Sequence, residues 1–360
     1  MTATSDTNLE NQFADPRLNR TGAVTAKNSP ADLVSSLING PRIAQAVFII
    51  AKLGIPDLLG QGPKSAEELA TATGTHAPAL YRVLRALASI GVLARDAEAR
   101  FVLTPASELL RSGVPGSLRA AAIMNGEQWV WRSWGAIEHS VRTGQAAFEH
   151  LFGAPLFEYY ASNPEAARIS ADALNSLSAI DNAAIAAAYD FSAARTVVDI
   201  GGGQGSLLAA VLVSNPTLRG ILFERPQVVD MARSRFEAAG LADRCELIAG
   251  NFFAEVPRGG DIYLLKKVIH DWNDEDARLI LSRCRAAMAA TARLLIAEHV
   301  VPADGQSSPA MWVDLLMLVY AGGQERTARE FQHLLASARF ELGPVINTAS
   351  PVSILESAPR

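Results

Sequence analysis

The stretch Thr196-Val-Val-Asp-Ile-Gly-Gly-Gly-Gln-Gly205 constrains the fold more than any other part of the chain. A short apolar strand, Thr196 to Ile200, runs into Gly201-Gly202-Gly203-Gln204-Gly205, and a helix pattern follows from Ser206. A strand that turns through glycines into a helix opens an α/β sheet. The glycines let the backbone turn sharply and let a ligand approach the helix N-terminus. The nicotinamide-dinucleotide fingerprint G-x-G-x-x-G/A would place its last glycine or alanine at Ser206, so that reading fails. What fits is acidic-x-G-x-G-x-G, carried by Asp199, Gly201, Gly203 and Gly205.

Strand and helix patterns alternate over residues 191–360, the mark of a parallel sheet covered on both faces. Further strands are predicted at Ile221–Glu224, Cys245–Ala249, Asp261–Lys266 and Arg293–Glu298. Glu224 closes its strand 19 residues after Gly205. A carboxylate there can accept hydrogen bonds from both hydroxyls of a ribose. Asn251 and Phe252 follow the next strand. They read equally as an amide and an aromatic for adenine or as a turn Asn and a core Phe.

Ligands of open α/β sheets bind beyond the carboxyl ends of the strands. That rule singles out His270, just past Lys266, because two carboxylates arrive at comparable places. Glu298 ends the fifth strand, and Glu325 sits in Gly322-Gly-Gln-Glu-Arg-Thr327 after a long apolar helix, Pro309–Tyr320. His299 reads as a strand-end bystander, and His76, His139, His150 and His333 as ordinary structural histidines. Met124, Trp131, Trp134, Met311, Leu315 and Leu318 are candidates for an acceptor pocket, each equally readable as core.

Upstream, residues 1–29 read as a flexible tail without the apolar stretch of a signal peptide. Residues 30–118 form short helices ending in a hairpin: Ala66–Thr73, Ala77–Ile90, then Val92–Arg95 and Arg100–Leu103 around a turn. This winged-helix pattern raises a rival reading, a DNA-binding regulator with a nucleotide-binding domain. Residues 63–118 hold six basic and five acidic side chains, a balance of +1, whereas a DNA reader shows a basic stripe. The region is therefore taken as a structural and dimerisation module, and no nucleic-acid partner is expected. Ile43–Ile50 is apolar almost all round and has to be buried, against a second chain if not its own. Residues 119–190 form a helical connector with acceptor-pocket residues. The longest apolar run, Ala44 to Ile55, is broken by Lys52 and Gly54, so no membrane span is expected. Net charge of −5 gives no general attraction to nucleic acid or anionic membrane. Two isolated cysteines read as reduced thiols of a cytoplasmic enzyme, and no metal site is expected.

The Asp199–Gly205 motif resembles motif I of the class I methyltransferases. With Lys266 through Trp272, the Ala-Glu-His-Val-Val-Pro stretch around Glu298, and Gly322 through Thr327 with Glu330-Phe331, the chain resembles the caffeic acid and hydroxyindole type of O-methyltransferases over residues ~30 to ~356. Bacterial members of that family modify antibiotics and pigments. The resemblance implies a class I, Rossmann-like methyltransferase domain behind an N-terminal winged-helix dimerisation domain, and a homodimer whose N-terminal domain enters the partner's active site. It implies S-adenosyl-L-methionine as cofactor, with Gly201, Gly203, Glu224, Asn251, Phe252 and Lys266 at its site. It also implies His270 as general base, flanked by Glu298 and Glu325, and a small aromatic molecule as methyl acceptor. The family often has Asp where this chain has Glu224 and Asn251, and a pocket Met where it has Leu174.

The chemistry favours a phenolic hydroxyl over an aliphatic one, such as that of a carotenoid. A phenol has a pKa near ~10 and an imidazole near ~6.5, so full proton transfer is uphill by ~3.5 units, or ~5 kcal/mol. A carboxylate beside the imidazole narrows that gap by stabilising the imidazolium. An aliphatic alcohol would be several units harder to deprotonate.

Overall fold

The computed structural model describes residues 29–360, in two compact units that divide after Gly126. The tail expected over residues 1–29 lies outside the described residues except for Ser29. That residue caps the 23-residue helix Pro30–Lys52 in a reciprocal box: Asp32 N–H donates to Ser29 Oγ at 3.2 Å, and Ser29 N–H donates to Asp32 Oδ2 at 3.1 Å.

In the first unit this helix packs on the helix Arg119–Gly126, where any side chain at 126 would collide with the Phe48 ring. Ile50 and Ala51 are buried, but Leu37 and Ile38 are each 67 % exposed and Ile43 40 %. Among the described residues the burial expected for Ile43–Ile50 is thus incomplete: Ile43 and the apolar residues before it stay exposed. This is also the one described helix long and apolar enough, by length and composition, to cross a membrane. A search for an unbroken apolar run overlooks it because Asn39, Gly40 and Arg42 interrupt the composition without ending the helix. The winged-helix pattern is present: helices Ala66–Thr73 and Ala77–Ser89, then strands β1 (Leu93–Arg95) and β2 (Phe101–Leu103) paired antiparallel. Leu69, Leu80, Leu84, Leu87 and Phe101 close on Ile50 and Ile55 as its core. The exposed Arg85 and Arg95 lie over the Tyr81 ring, at 5.5 and 5.9 Å.

The second unit is built on β3 (Thr196–Ile200), β4 (Arg219–Glu224), β5 (Cys245–Ala249), β6 (Ile262–Lys266), β7 (Arg293–Val301), β8 (Arg326–Thr327), β9 (Phe340–Asn347) and β10 (Val352–Pro359). The sheet order is β5-β4-β3-β6-β7-β10-β9, with β8 attached to β7. The first five strands are parallel, but β10 runs antiparallel to both β7 and β9. The wholly parallel sheet expected from sequence needs that correction. Only residues 348–351 join β9 to β10, too short a link for a parallel crossover. Successive strand residues supply opposite faces. Val198, Leu265 and Leu294 point into one core, and Val197, Leu264 and Leu295 into the other. The chain leaves β3 towards β4 and returns on the other side as β6, so a switch point lies between β3 and β6.

Candidate active site

The loop after β3 takes the backbone shape its glycines allow. Gly201, Gly203 and Gly205 have φ of 66°, 58° and 73°, and Gly201 N–H donates to Phe223 C=O at 2.8 Å. Glu224, at the tip of β4, is drawn to the same place. Its Oε2 accepts the Gly203 N–H at 3.2 Å, and its Oε1 the Arg225 N–H at 2.7 Å. Both carboxylate oxygens are therefore oriented beside the glycine loop. Asp199 lies beneath it, fully buried, and neither oxygen has a hydrogen-bond partner among the described residues. Burial pushes this carboxyl up to about 7, against the pull of Lys266.

Lys266, at the tip of β6, donates to Asn182 Oδ1 at 2.6 Å. Burial, with Lys267 beside it, brings the Lys266 amine down to about 8. Asn182 and Asp181 come from the helix Pro164–Ala188, a source the sequence reading did not reach. Asn182 also donates to Ser206 Oγ at 3.0 Å, and Asp181 pairs with Lys267 Nζ at 2.7 Å. Lys267 adopts φ 51°, unusual for a residue with a side chain, held by that pair and by its N–H on Ala297 C=O. The available signal was an adjacent Asp-Asn pair just before the helix turns wholly apolar, at Ala183–Ala188.

Asn251 uses its side chain locally: Oδ1 accepts the Phe253 N–H at 2.9 Å. Phe252 is half-buried and meets Trp272 edge to face, with ring centroids 6.0 Å apart. Val268 and Phe252 stand 3.0 and 3.5 Å from where a side chain on Gly201 would begin, so the glycine keeps that gap open.

His270 lies in a short 3₁₀ turn, Ile269–Asp271, and is 6 % exposed. Its Nδ1 is 2.6 Å from Glu325 Oε1 and 3.4 Å from Glu298 Oε2. Nε2 faces Asp271 Oδ1 at 3.6 Å. The three side chains singled out from sequence are thus together. Burial alone would lower the imidazole, but Glu298, Asp271 and Glu325 outweigh it and raise His270 to about 10. Burial lifts Glu298 to about 7 against the pull of His270, and lifts Asp271 to about 6. Glu325 moves the other way: burial opposes ionisation, but the hydrogen bond from His270 and the nearby His299 imidazole hold it below the usual range. Donor atoms of His270, Glu298 and Glu325 lie within 4.8 Å of one another, but at 2.6 Å the His270–Glu325 contact is bridged by a proton.

Glu298 does more than flank the ring. Its Oε1 accepts the backbone N–H groups of Val268, Ile269 and His270, at 3.0, 3.0 and 3.3 Å, and so shapes the turn that carries the imidazole. Arg326, 1 % exposed, ties that turn to the Glu325 loop. Its guanidinium reaches Ile269 C=O, Gln324 C=O, Trp272 C=O and both ways onto Asp274 Oδ1. Gln324 N–H donates to His270 C=O at 2.9 Å, and any side chain at Gly323 would strike that same carbonyl. His299, read from sequence as a bystander, is buried with Nδ1 3.7 Å from Glu325 Oε1.

Around the cluster, helices from 128 to 162 hold an aromatic group in which Trp129 meets Phe148 and Tyr160, and Phe148 meets Tyr320. Trp134 stands edge to face with Tyr320, and Trp131, Leu315 and Leu318 are half-buried. Met311 is 39 % exposed, Leu174 55 %, and Met124 belongs to the first unit. A cleft of about 500 Å³ opens beside Asp271 and Trp272, with Gln145, Glu149 and His150 on its far wall.

Residues 134–341 match the O-methyltransferase domain family, and residues 35–113 match the O-methyltransferase dimerisation domain. The chain is 46 % identical to the phenazine O-methyltransferase PhzM of Lysobacter antibioticus, over 95 % of this chain and 98 % of that protein. It is 40 % identical to the mitomycin biosynthesis 6-O-methyltransferase of Streptomyces lavendulae, over 92 % and 95 %. Among solved structures it resembles the O-methyltransferase NcsB1 from neocarzinostatin biosynthesis, in complex with S-adenosylmethionine and 2-hydroxy-5-methyl naphthoic acid. The TM-score is 0.78 and the identity 34 %, over 88 % of this chain and 96 % of that one.

Proposed function

This chain belongs to the S-adenosylmethionine-dependent O-methyltransferase family, and on that premise we propose that it methylates a phenolic hydroxyl of an aromatic natural product, with His270 as the general base. The observation that carries the reading is the 2.6 Å contact of His270 Nδ1 with Glu325 Oε1. A donor at Nδ1 leaves the neutral ring's lone pair on Nε2, the nitrogen turned away from the two glutamates.

The strand tips fit S-adenosylmethionine. The orphaned Asp199 carboxylate, the oriented pair of oxygens on Glu224 and the gap kept open by Gly201 lie together beside the loop. Gly201, Gly203, Glu224 and Lys266 would hold the cofactor, with Phe252 and the Asn251 amide towards its base. When bound, it supplies an electrophilic sulfonium methyl. The chain's own task is then to align the acceptor and remove its proton. His270, raised to about 10, matches a phenol's ordinary value. Proton transfer to Nε2 is thereby near level instead of ~5 kcal/mol uphill. Glu325 and Glu298 stabilise the imidazolium that forms, and the proton leaves the hydroxyl as its oxygen takes the methyl.

The dimerisation-domain match covers the winged helix, which removes the ground for a regulator. The uncovered apolar face of Pro30–Lys52 supports a homodimer. Phenolic relationships among the relatives, the naphthoic acid beside NcsB1 included, support an aromatic acceptor. The test is a panel of phenols, hydroxynaphthoates, phenazinols and aliphatic alcohols incubated with labelled S-adenosylmethionine. Label in the aliphatic alcohols alone would sink the phenolic reading.

A further inference from the structure

Glu325 Oε1 faces two imidazoles. His270 Nδ1 lies 2.6 Å from it and His299 Nδ1 3.7 Å, just beyond hydrogen-bonding distance. All three side chains are at most 9 % exposed. His299 Nδ1 and Glu325 Oε2 have no hydrogen-bond partner among the described residues.

A buried carboxylate decides which nitrogen of a facing imidazole carries hydrogen. Glu325 is held ionised, whereas burial pushes the Asp271 carboxyl up to about 6; a bare Nδ1 lone pair set against Glu325 Oε1 would be repelled more strongly, so His299 presents Nδ1–H. Glu325 then has two donors, and the charge it directs at one is withheld from the other. Its depressed carboxyl reflects both. We infer that His299 is a positioning residue that tunes the base: by sharing Glu325, it keeps the proton affinity of His270 lower than the surrounding carboxylates would otherwise make it. More neutral His270 is then available for the acceptor's proton near neutral pH. The inference rests on His270 being the base.

The other ionisable groups around the pair leave this arrangement to His299. Glu298 is engaged by three backbone amides, and Asp271 faces His270 Nε2. Asp314, on the helix Ala310–Tyr320, accepts the Glu325 N–H at 2.9 Å. Arg326 is taken up by Asp274, and Lys267 by Asp181. From β10, the residue opposite His299 is the uncharged Val352.

The experiment is the pH profile of kcat, at saturating S-adenosylmethionine and acceptor, for the parent, His270→Asn, His299→Leu, His299→Met and His299→Gln. His270→Asn is read first. Loss of the rising limb establishes His270 as its source; a limb that survives sinks the base assignment, whatever His299 does. With the limb assigned, His299→Leu and His299→Met should move its midpoint upward by about half to one unit. The rate at neutral pH should fall roughly three- to tenfold, with KM for S-adenosylmethionine unchanged. His299→Gln keeps a donor and should stay within about twofold of the parent. Two donor-free variants guard against one failing to fold. A folded donor-free variant with an unmoved or lowered midpoint overturns the inference, as does a Gln variant as impaired as the other two.

Discussion

Glu298 holds the backbone of His270 as well as its ring: Oε1 accepts the His270 N–H at 3.3 Å while Oε2 stands 3.4 Å from Nδ1. The two functions separate under substitution. Glu298→Gln keeps an oxygen that the three amides can reach and should lower kcat by less than about tenfold. Glu298→Leu strands three buried N–H groups, each costing about 1–3 kcal/mol, and should fold poorly or melt well below the parent. Thermal melts and kcat on the same preparations decide it. Equal damage from both variants would mean the charge, not the backbone contact, dominates.

His270→Asn should spare the cofactor site, because the glycine loop, Glu224 and Lys266 stand apart from the imidazole. Methyl transfer should fall by ~10²–10⁴-fold, the usual contribution of a positioned base. Acidic phenols should lose less than unactivated ones. Calorimetry with S-adenosylhomocysteine and single-turnover rates give the two readouts. Near-parental turnover of an unactivated phenol would leave proximity alone as the mechanism.

The raised His270 fixes the direction of the pH dependence. Below about 10 the imidazole is mostly protonated, and the neutral fraction grows about tenfold per pH unit. The single-turnover rate with an unactivated phenol should therefore climb from neutral pH and level off towards about 10. Stability runs the other way. A group raised on folding contributes stability that is fully present below its unfolded value, ~6.5, and lost as pH rises through about 10. A flat rate profile would contradict the assignment.

Asp199 sets stability against binding. Its carboxyl is raised from 3.8 to about 7, so its contribution is fully present below 3.8 and lost as pH rises through about 7. Asp199→Asn should raise the melting temperature of cofactor-free protein at about pH 8, change it little at about pH 4, and weaken cofactor binding. Glu224→Ala should weaken it by ~1.5–3 kcal/mol if both oxygens meet the ribose. Melts without cofactor and titrations with S-adenosylhomocysteine check both variants. An unshifted melt at about pH 8 would remove the buried-charge argument.

The uncovered face of Pro30–Lys52 predicts self-association. Sedimentation should give a dimer, and Leu37→Asp with Ile38→Asp should give monomer or precipitate. An unaltered dimer in that double variant would place the interface elsewhere.

Where a residue's position was set by local pattern, the sequence revealed it. The glycine loop, Glu224 at its strand tip and the convergence of His270 and Glu325 follow from strand ends and turns; Glu298 joins them from inside β7, which runs on to Val301 and does not end at Glu298 as expected. What it hid depends on tertiary neighbours. Asp181 and Asn182 sit 85 and 84 residues before Lys266, and no spacing rule links a helix to a strand tip across that gap. Asn251 shows the opposite limit: its turn geometry is local, yet spacing alone could not separate it from a base contact. The β9–β10 hairpin was missed because the strand-helix rhythm was carried past the point where it stops. His299 is unmarked in the sequence because adjacency to Glu298 says nothing about distance to Glu325.

Among the described residues, the partners of the Arg326 guanidinium lie between residues 269 and 274 or at 324, and none in the aromatic helices 128–162. His270 and Glu325 are therefore moored to each other by one buried cation, while the aromatic helices meet the turn through Phe157, stacked on Trp272. Substitutions in those aromatic helices can thus leave the turn and the Glu325 loop held as they are.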